Sequence, residues 1–481
     1  MKVALLAEGC YPFLNGGVST WCDQLIRGLP EHVFDVVAIV ATSGDRPVLD
    51  LPPNVGELRR VPLWDWTPPR RRPGSAARHV FNDLYRPFLR AMLDPAGKED
   101  QFSDSLRRMS DFARWGNLTA SLHTDDAVDA LVDTWREFHG STPLSVRDAV
   151  DATELIEHLL RPLSAPVVDA DVCHAVSNGL PALLALVAKW QSGTPMVMSE
   201  HGVYLRERYL ACEGLRYRWP VKVILAGFYR RLCRSAYAAA DLITPVNVFN
   251  QRWEVRHGAD PDMISTAYNG VSAQDYPPAI GEPQIPTLGW VGRIDPLKDL
   301  ETLIEAFARL RRRVPSVVLR LFGPTPVGNE WYETRLRLLV ERLGLDGSVT
   351  FEGPVRPVIR AYHESTVVAL SSISEGLPYT VVEAMMCGRA TVSTEVGGVP
   401  EVAGSAGLVV PPRDPDAFAR ACEQLFTADA ARRTLARAAR VRALKFFQLD
   451  RMLGTFRHMY ADLGRPTPWT VQSVLEEVKT A

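Results

Sequence analysis

Short apolar runs alternate with amphipathic stretches along most of the chain, and the alternation breaks once. "KVALLAE" (2–8) reads as a buried strand that ends at the loop "GCYPFLNGG". "VSTWCDQLIRGL" (18–29) then has helical spacing, and "FDVVAIVA" (34–41) is the next buried strand. Strand, glycine-containing loop, helix, strand is the opening of a parallel α/β domain. From "WDWTPPRRRPGSAARH" the pattern changes, and residues 64–165 run as polar, helix-period segments rich in Trp, Arg and Asp. They predict a mainly helical insertion. Alternation resumes with the strand "ADVCHAV" (170–176), a helix near 179–190, the strand "PMVMSE" (195–200) and an apolar helical stripe over 221–241. "LITPV" and "ISTAYNGV" close this half as its last predicted strands.

"QDYPPAIGEPQIP" (274–286) carries four prolines and no periodicity, which marks it as the linker. A second series follows: strand "TLGWVG", amphipathic helix 299–313, strand 317–323, helix "WYETRLRLLVERLG", and strands 349–353 and 367–373. After "SEGLPYTVVEAMM" and "ATVSTEVGG" come helices to about 463. The predicted organisation is a first domain over 1–280 with its insertion, a second over 285–450, and a helical tail over 451–481. Packing of that tail back onto the first domain is one arrangement open to it. Two doubly wound domains around a linker imply a cleft faced by the strands' carboxyl ends, where such sheets bind ligands.

Composition narrows the class. The 481 residues exceed one ordinary core, and 46% hydrophobic with 23% charged residues is the make-up of a soluble globular protein. Lys and Arg number 54 against 56 Asp and Glu, so no net field favours nucleic acid or a membrane surface. The run "RRR" at 311–313 suits a helix C-terminus, and that at 70–72 a solvated surface. The start is not that of a signal peptide, since Glu8 interrupts a short apolar run, and no stretch reaches bilayer length. Seven scattered cysteines without CxxC spacing argue against disulfides or zinc and fit a reducing cytoplasm.

The candidate chemistry collects at the ends of predicted strands. In "SEGLPYTVVEAMMCG", Pro378 suits the first position of a helix, and the turn before it leaves N–H groups that suit an anionic oxygen. Glu383, about a turn inside, can accept hydrogen bonds from sugar hydroxyls, and Glu375 stands on the loop. Alone, a helix cap plus a surface acid explains the motif equally well. In "VGRIDPLKDLETLIEAF", Arg293 and Lys298 lie where two cations would neutralise a diphosphate and stabilise it as a leaving group. A salt bridge beside a solvated lysine ranks second. "EVGGVPE" and "LNGGVST", with Gly16 and Gly17, allow close backbone approach to a ligand, although tight turns explain each as well. Glu200 and His201 follow a strand. Such a histidine can bond a sugar hydroxyl, but by itself it reads first as a satisfied structural one. No DxD pair stands where it would serve these motifs as a metal dyad, and neither a Walker A sequence nor GxSxG is present.

Taken together, "VGRIDPLKD", "SEGLPYTVVEAM", "EVGGVPE" and "NGGV" resemble the GT4 family of retaining glycosyltransferases, which have the GT-B fold of two Rossmann-like domains. "EHGVYLRERYL" and "TPVNVFNQRWEVRHGADPDMISTAYNGV" extend the resemblance to members that work in exopolysaccharide biosynthesis and biofilm formation. The resemblance implies a UDP-sugar donor, with UDP-glucose first, and an unidentified saccharide or lipid-linked acceptor. Arg293 and Lys298 match the diphosphate-binding positions, and Glu383 the acid that holds the ribose. Glu375 matches the acid beside the donor sugar, with Gly376 and Leu377 supplying backbone donors. His201 matches a histidine near the transferred sugar, and Gly17 a loop that closes on the diphosphate. No metal or other cofactor is expected, and Glu375 is not assigned as a covalent nucleophile. Closure of the two domains would exclude water, and the acceptor would attack from the face the UDP leaves. The implied setting is the cytoplasm, with a membrane-bound polysaccharide synthesis complex as the implied partner that would hold the enzyme peripherally at the inner membrane. Two rivals remain: a UDP-sugar 2-epimerase on the same fold, which would turn over without an acceptor, and a non-catalytic sugar-nucleotide-binding scaffold.

Overall fold

The computed structural model describes residues 1–65, 73–140 and 142–464. The arginine run at 70–72 and the end of the tail, 465–481, lie outside the described residues. The chain divides into two compact units. Unit 1 comprises Met1–Thr244, Trp253–Ser265 and the chain from Thr455 onward; unit 2 comprises Pro245–Arg252 and Thr266–Gly454.

Each unit is built on a parallel six-stranded sheet. The first uses β1 (Lys2–Glu8), β2 (Val33–Val40), β3 (Val55–Pro62), β4 (Val172–Ala175), β5 (Met196–Glu200) and β6 (Leu242–Pro245), in the order β3-β2-β1-β4-β5-β6. The second uses β7 (Thr287–Val291), β8 (Val318–Phe322), β9 (Val349–Gly353), β10 (Val367–Leu370), β11 (Ala390–Thr394) and β12 (Leu408–Val410), in the order β12-β11-β10-β7-β8-β9. Both are the doubly wound order, which reverses between β1 and β4 in one sheet and between β7 and β10 in the other. Helices cover both faces of such a sheet, which is why its strands are continuous apolar runs. Val3 to Ala7 of β1 are all fully buried.

In unit 1, α1 (Gly17–Gly28) follows β1 and buries Trp21, Cys22, Leu25 and Ile26 at helical spacing. Between β3 and β4 the helices α2 (Ser75–Leu93), α3 (Glu99–Trp115), α4 (Leu118–Leu122), α5 (Asp125–His139) and α6 (Val146–Leu160) form the insertion. Their shared core includes Phe81 stacked on Tyr85 at 5.0 Å, and a Ser145–Asp148 capping box starts α6. After β4 come α7 (Leu180–Ser192), α8 (Tyr204–Gly214) and α9 (Trp219–Ala239), and α10 (Val248–Arg256) is divided between the units, with the chain up to Arg252 in unit 2 and from Trp253 in unit 1. Unit 2 carries α11 (Leu300–Arg313), α12 (Glu330–Arg342), α13 (Ile359–His363), α14 (Tyr379–Met386), α15 (Val399–Ala403), α16 (Pro415–Thr427) and α17 (Asp429–Phe446). The last helix among the described residues is α18 (Leu449–Leu463). Arg311–Arg313 end α11, as expected of cations at a helix C-terminus. No helix among the described residues is long and apolar enough to cross a membrane.

Two expectations change. "ISTAYNGV" is not a strand: one bridge joins Ile243 to Ile264, and Pro245 accepts from Ala267 but has no N–H to return a second bond. Residues 266–280 fall in the second unit, not the first. The cause is local pairing, because Val271 donates to Phe447 O at 2.8 Å and accepts from Leu449 N at 3.1 Å. In the tail, Phe456 packs edge-on against Trp21 at 5.3 Å, and Tyr460 reaches His174, so this stretch belongs with unit 1.

Candidate active site

The cluster in unit 2 stands at the point where the second sheet reverses its order. The loops after β7 and β10 emerge side by side and are stitched together: Ser371 Oγ donates to Lys298 O at 2.7 Å, and Ile373 N to Leu297 O at 2.9 Å. Asp295 accepts from Leu297 N at 2.9 Å, and Asp299, held in the left-handed region (φ 46°), caps α11 through Thr302. These local bonds fix the backbone that carries Lys298. Its ammonium donates to Glu375 Oε1 at 2.6 Å, and Ser372 Oγ donates to the same oxygen at 2.6 Å. Lys298 and Glu375 therefore form an ion pair, not a solvated lysine and a surface acid. Arg293, two residues past β7, is exposed and has no ion pair among the described residues.

Beyond Glu375 the chain turns into α14, which begins at Tyr379 with Pro378 as its cap, one residue later than the pattern suggests. The Gly376 and Leu377 amides donate to no acceptor among the described residues, while the Leu377 side chain is buried in the core of unit 2. Those amides at a helix start suit an anionic oxygen. Glu383 sits in the second turn of α14 and accepts hydrogen bonds from the Tyr362 and Tyr276 hydroxyls. Burial pushes its carboxyl above the usual range, and the two tyrosines pull it back. A carboxylate has about four lone-pair sites, so two remain for a ligand's hydroxyls.

The "EVGGVPE" glycines serve a different approach from the one expected. Gly397 has φ +51°, and a Cβ there would lie 1.7 Å from Glu375 O; Gly398 N donates to Gly376 O at 2.9 Å. The close contact is with the Glu375–Gly376 loop itself, which these glycines hold in place.

The remaining candidates lie in unit 1. Gly16 caps α1 in an extended conformation with open space around it, and Gly17 is the first residue of the helix. One turn on, Trp21 packs edge-on against His201, with ring centroids 4.7 Å apart. Burial lowers the His201 pKa to about 4, so the ring is neutral near pH 7, and its Nε2 is buried without a partner among the described residues. It is therefore not a satisfied structural histidine. Its neighbour Glu200 turns elsewhere. Tyr237 donates to Glu200 at 2.6 Å, and the Glu200 and Glu254 carboxyls face each other in a buried pair that burial pushes up in pKa.

Several partners were not legible beforehand: Ser372, Tyr276 and Tyr362, and the buried chain Tyr460–His174–Ser199–Thr244 with links of 2.6, 2.7 and 2.5 Å. Tyr276 lies in the proline-rich stretch with no period to flag it. Among the described residues no group of three or more His, Cys, Asp or Glu is placed to hold a metal ion.

Comparison with known proteins divides the chain in the same way. Residues 1–262 match the family described as "Domain of unknown function (DUF3492)", and residues 285–428 match "Glycosyl transferases group 1". A D-inositol 3-phosphate glycosyltransferase of Saccharomonospora viridis is 32% identical over 226 residues, covering 43% of this chain and 52% of the relative. One from Salinispora arenicola is 28% identical over 305 residues, covering 57% and 65%. The chain thus spans less than two thirds of the length of either relative. Among solved structures, sucrose-phosphate synthase from Thermosynechococcus elongatus matches with TM-score 0.63 at 17% identity, covering 96% of this chain and 98% of that one. HepE from Anabaena, in complex with UDP and glucose, matches with TM-score 0.59 at 15% identity, covering 96% and 99%. These similarities establish the GT-B fold.

Proposed function

The chain belongs to the family described as "Domain of unknown function (DUF3492)", with a group 1 glycosyltransferase match in its second half, and from that premise we propose that it is a glycosyltransferase. It moves a hexose, glucose first among the candidates, from a UDP-sugar to a saccharide or lipid-linked acceptor, with retention and without a metal. The observation that carries this reading is the Lys298–Glu375 pair at the reversal of the second sheet, beside the unpaired Arg293 and the Gly376 and Leu377 amides. Two cations and a set of amide donors suit a diphosphate, and HepE, which shares the fold, is known with UDP and with UDP-glucose.

In the proposed reaction Arg293 and Lys298 neutralise the diphosphate as the bond from C1 to its oxygen breaks. Glu375 holds Lys298 in position, and Glu383 accepts from the ribose hydroxyls. The acceptor's hydroxyl oxygen bonds to C1 on the departing group's face, and its proton passes to the leaving phosphate oxygen. Roles for His201 toward the transferred sugar, and for Gly16 and Gly17 toward the diphosphate, belong to the same proposal. The finer setting rests on motif resemblance: "AEGCYPFLNGGVSTWCDQLIRGLP" and "EHGVYLRERYL" resemble PelF of Pel exopolysaccharide biosynthesis, and this supports the reading of work in the cytoplasm beside a membrane-bound synthesis complex.

Calorimetry with UDP and UDP-glucose, followed by radiolabelled transfer to membrane extract, tests the reading. Arg293→Ala should lower kcat by about 10²–10³, the usual cost of one electrostatic group in such a site. Near-normal turnover in that variant, or no UDP binding by the native chain, refutes it. An epimeric product from UDP-glucose alone would point to epimerase chemistry instead.

A further inference from the structure

The first sheet also reverses its order, between β1 and β4, and unit 1 has a cavity of about 320 Å³ at that place. Glu8, the last residue of β1, lines it, as does Leu180, the first residue of the helix that follows β4. Ligands of open α/β sheets bind at such reversals, outside the strands' carboxyl ends. The cavity is open at one edge, so a ligand has a way in. Leucines of α6, α7 and α9 form the walls, and Trp64, Leu215 and Tyr217 stand at the edge with 53%, 37% and 36% of their surface exposed.

Besides His158 and the tyrosines, one charged pair interrupts this mainly apolar lining. Glu8 accepts from Arg208 Nη2 at 2.9 Å and from the Tyr204 hydroxyl at 3.1 Å. The Arg208 guanidinium lies 4.5 Å from the centre of the Tyr204 ring and 5.6 Å from that of Tyr229, so Arg208 is held on several sides. With two of its roughly four acceptor positions occupied, the Glu8 carboxylate has room for a further donor. An ion pair in apolar surroundings contributes little net stability, so structure alone gives weak reason for one here. A cavity of about 150 Å³ holds one benzene ring, which makes this one large enough for about two rings or an equal length of chain.

We infer that this cavity binds an apolar or aromatic group of about two rings' bulk whose hydroxyl donates to Glu8. The site needs no nucleotide sugar, and it stands whether or not the chain transfers one.

The probes are 2-naphthol and naphthalene, titrated by fluorescence against the full chain. Saturable one-to-one binding of both is expected. Ala211→Trp, on the exposed face of α8 at the cavity, should abolish it while UDP binding stays at the native level; Leu215→Trp provides a second plug if the first fails to fold. Glu8→Gln should weaken 2-naphthol about tenfold and leave naphthalene unchanged. No saturable binding up to about 1 mM 2-naphthol, or native affinity in both plugged variants, overturns the site. Equal affinity of Glu8→Gln and the native chain for 2-naphthol overturns the assignment of its hydroxyl to Glu8.

Discussion

Lys298→Ala and Glu375→Gln, separately and together, ask whether the ion pair shapes the candidate site or merely decorates it. The side chains are 24% and 12% exposed, between the surface and buried regimes. Two unit charges 4 Å apart attract by about 4 kcal/mol at an effective dielectric of 20, and desolvation offsets much of that. Exposed pairs contribute about 0–1 kcal/mol, and breaking a buried pair from one side costs about 3–5 kcal/mol. Lys298→Ala should therefore destabilise unit 2 by about 1–3 kcal/mol, because it leaves the Glu375 carboxylate with only the Ser372 hydroxyl. Glu375→Gln removes the charge while Ser372 can still donate to the amide oxygen, so its cost is about 1 kcal/mol or less. The double variant should lie near Glu375→Gln alone, a coupling of about 1–3 kcal/mol. Two units need not unfold together, so the assay is native-state hydrogen exchange of amides in β7 and β10. UDP affinity is measured on the same proteins. The double variant should recover stability relative to Lys298→Ala but bind UDP at least about tenfold more weakly than the native chain. Coupling below about 0.5 kcal/mol would show that the pair does not hold the loops, and native UDP affinity in the double variant would remove Lys298 from the diphosphate site.

Gly397→Ala should cost more than about 2 kcal/mol, since its φ is +51° and the new methyl would meet Glu375 O at 1.7 Å. Gly16→Ala, in open space, is the control, and similar denaturation midpoints for the two variants would contradict the packing described. His201 has its pKa lowered to about 4, so the folded state resists a proton that the unfolded chain takes up below about 6.5. Its contribution to stability is complete above the unfolded value and is lost as pH falls toward about 4; an NMR titration of the His201 ring with a midpoint near 6.5 would refute this burial. Tyr362→Phe removes one of two hydroxyls on Glu383 and should destabilise unit 2 by about 1.5–3 kcal/mol while raising the KM for UDP-sugar more than it lowers kcat. A variant with native KM would separate Glu383 from donor binding.

Much of the framework follows from local sequence. Runs such as "KVALLAE", "VVLRLF" and "VVAL" are apolar because strands of a parallel sheet are covered on both faces, and they are found as β1, β8 and β10. Arg293, Lys298 and Glu375 could be placed on loops because each closely follows the end of β7 or β10, and Glu383 could be placed inside the helix that opens at Pro378. "ISTAYNGV" shows the limit of such reading: its composition suits a strand, but the proline opposite cannot complete the ladder.

Contacts between distant residues were decided by the tertiary structure. Lys298 meets Glu375 across 77 positions, Glu8 meets Arg208 across 200, and His174 meets Tyr460 across 286. Periodicity reports which face of an element is buried, but the order of strands chooses what lies opposite. That order is set by the burial of the whole sheet, to which each residue contributes only a part. Glu8 makes the difference plain: along the chain it is the charge that interrupts an apolar run, and in the folded unit it is the acceptor at one side of a cavity.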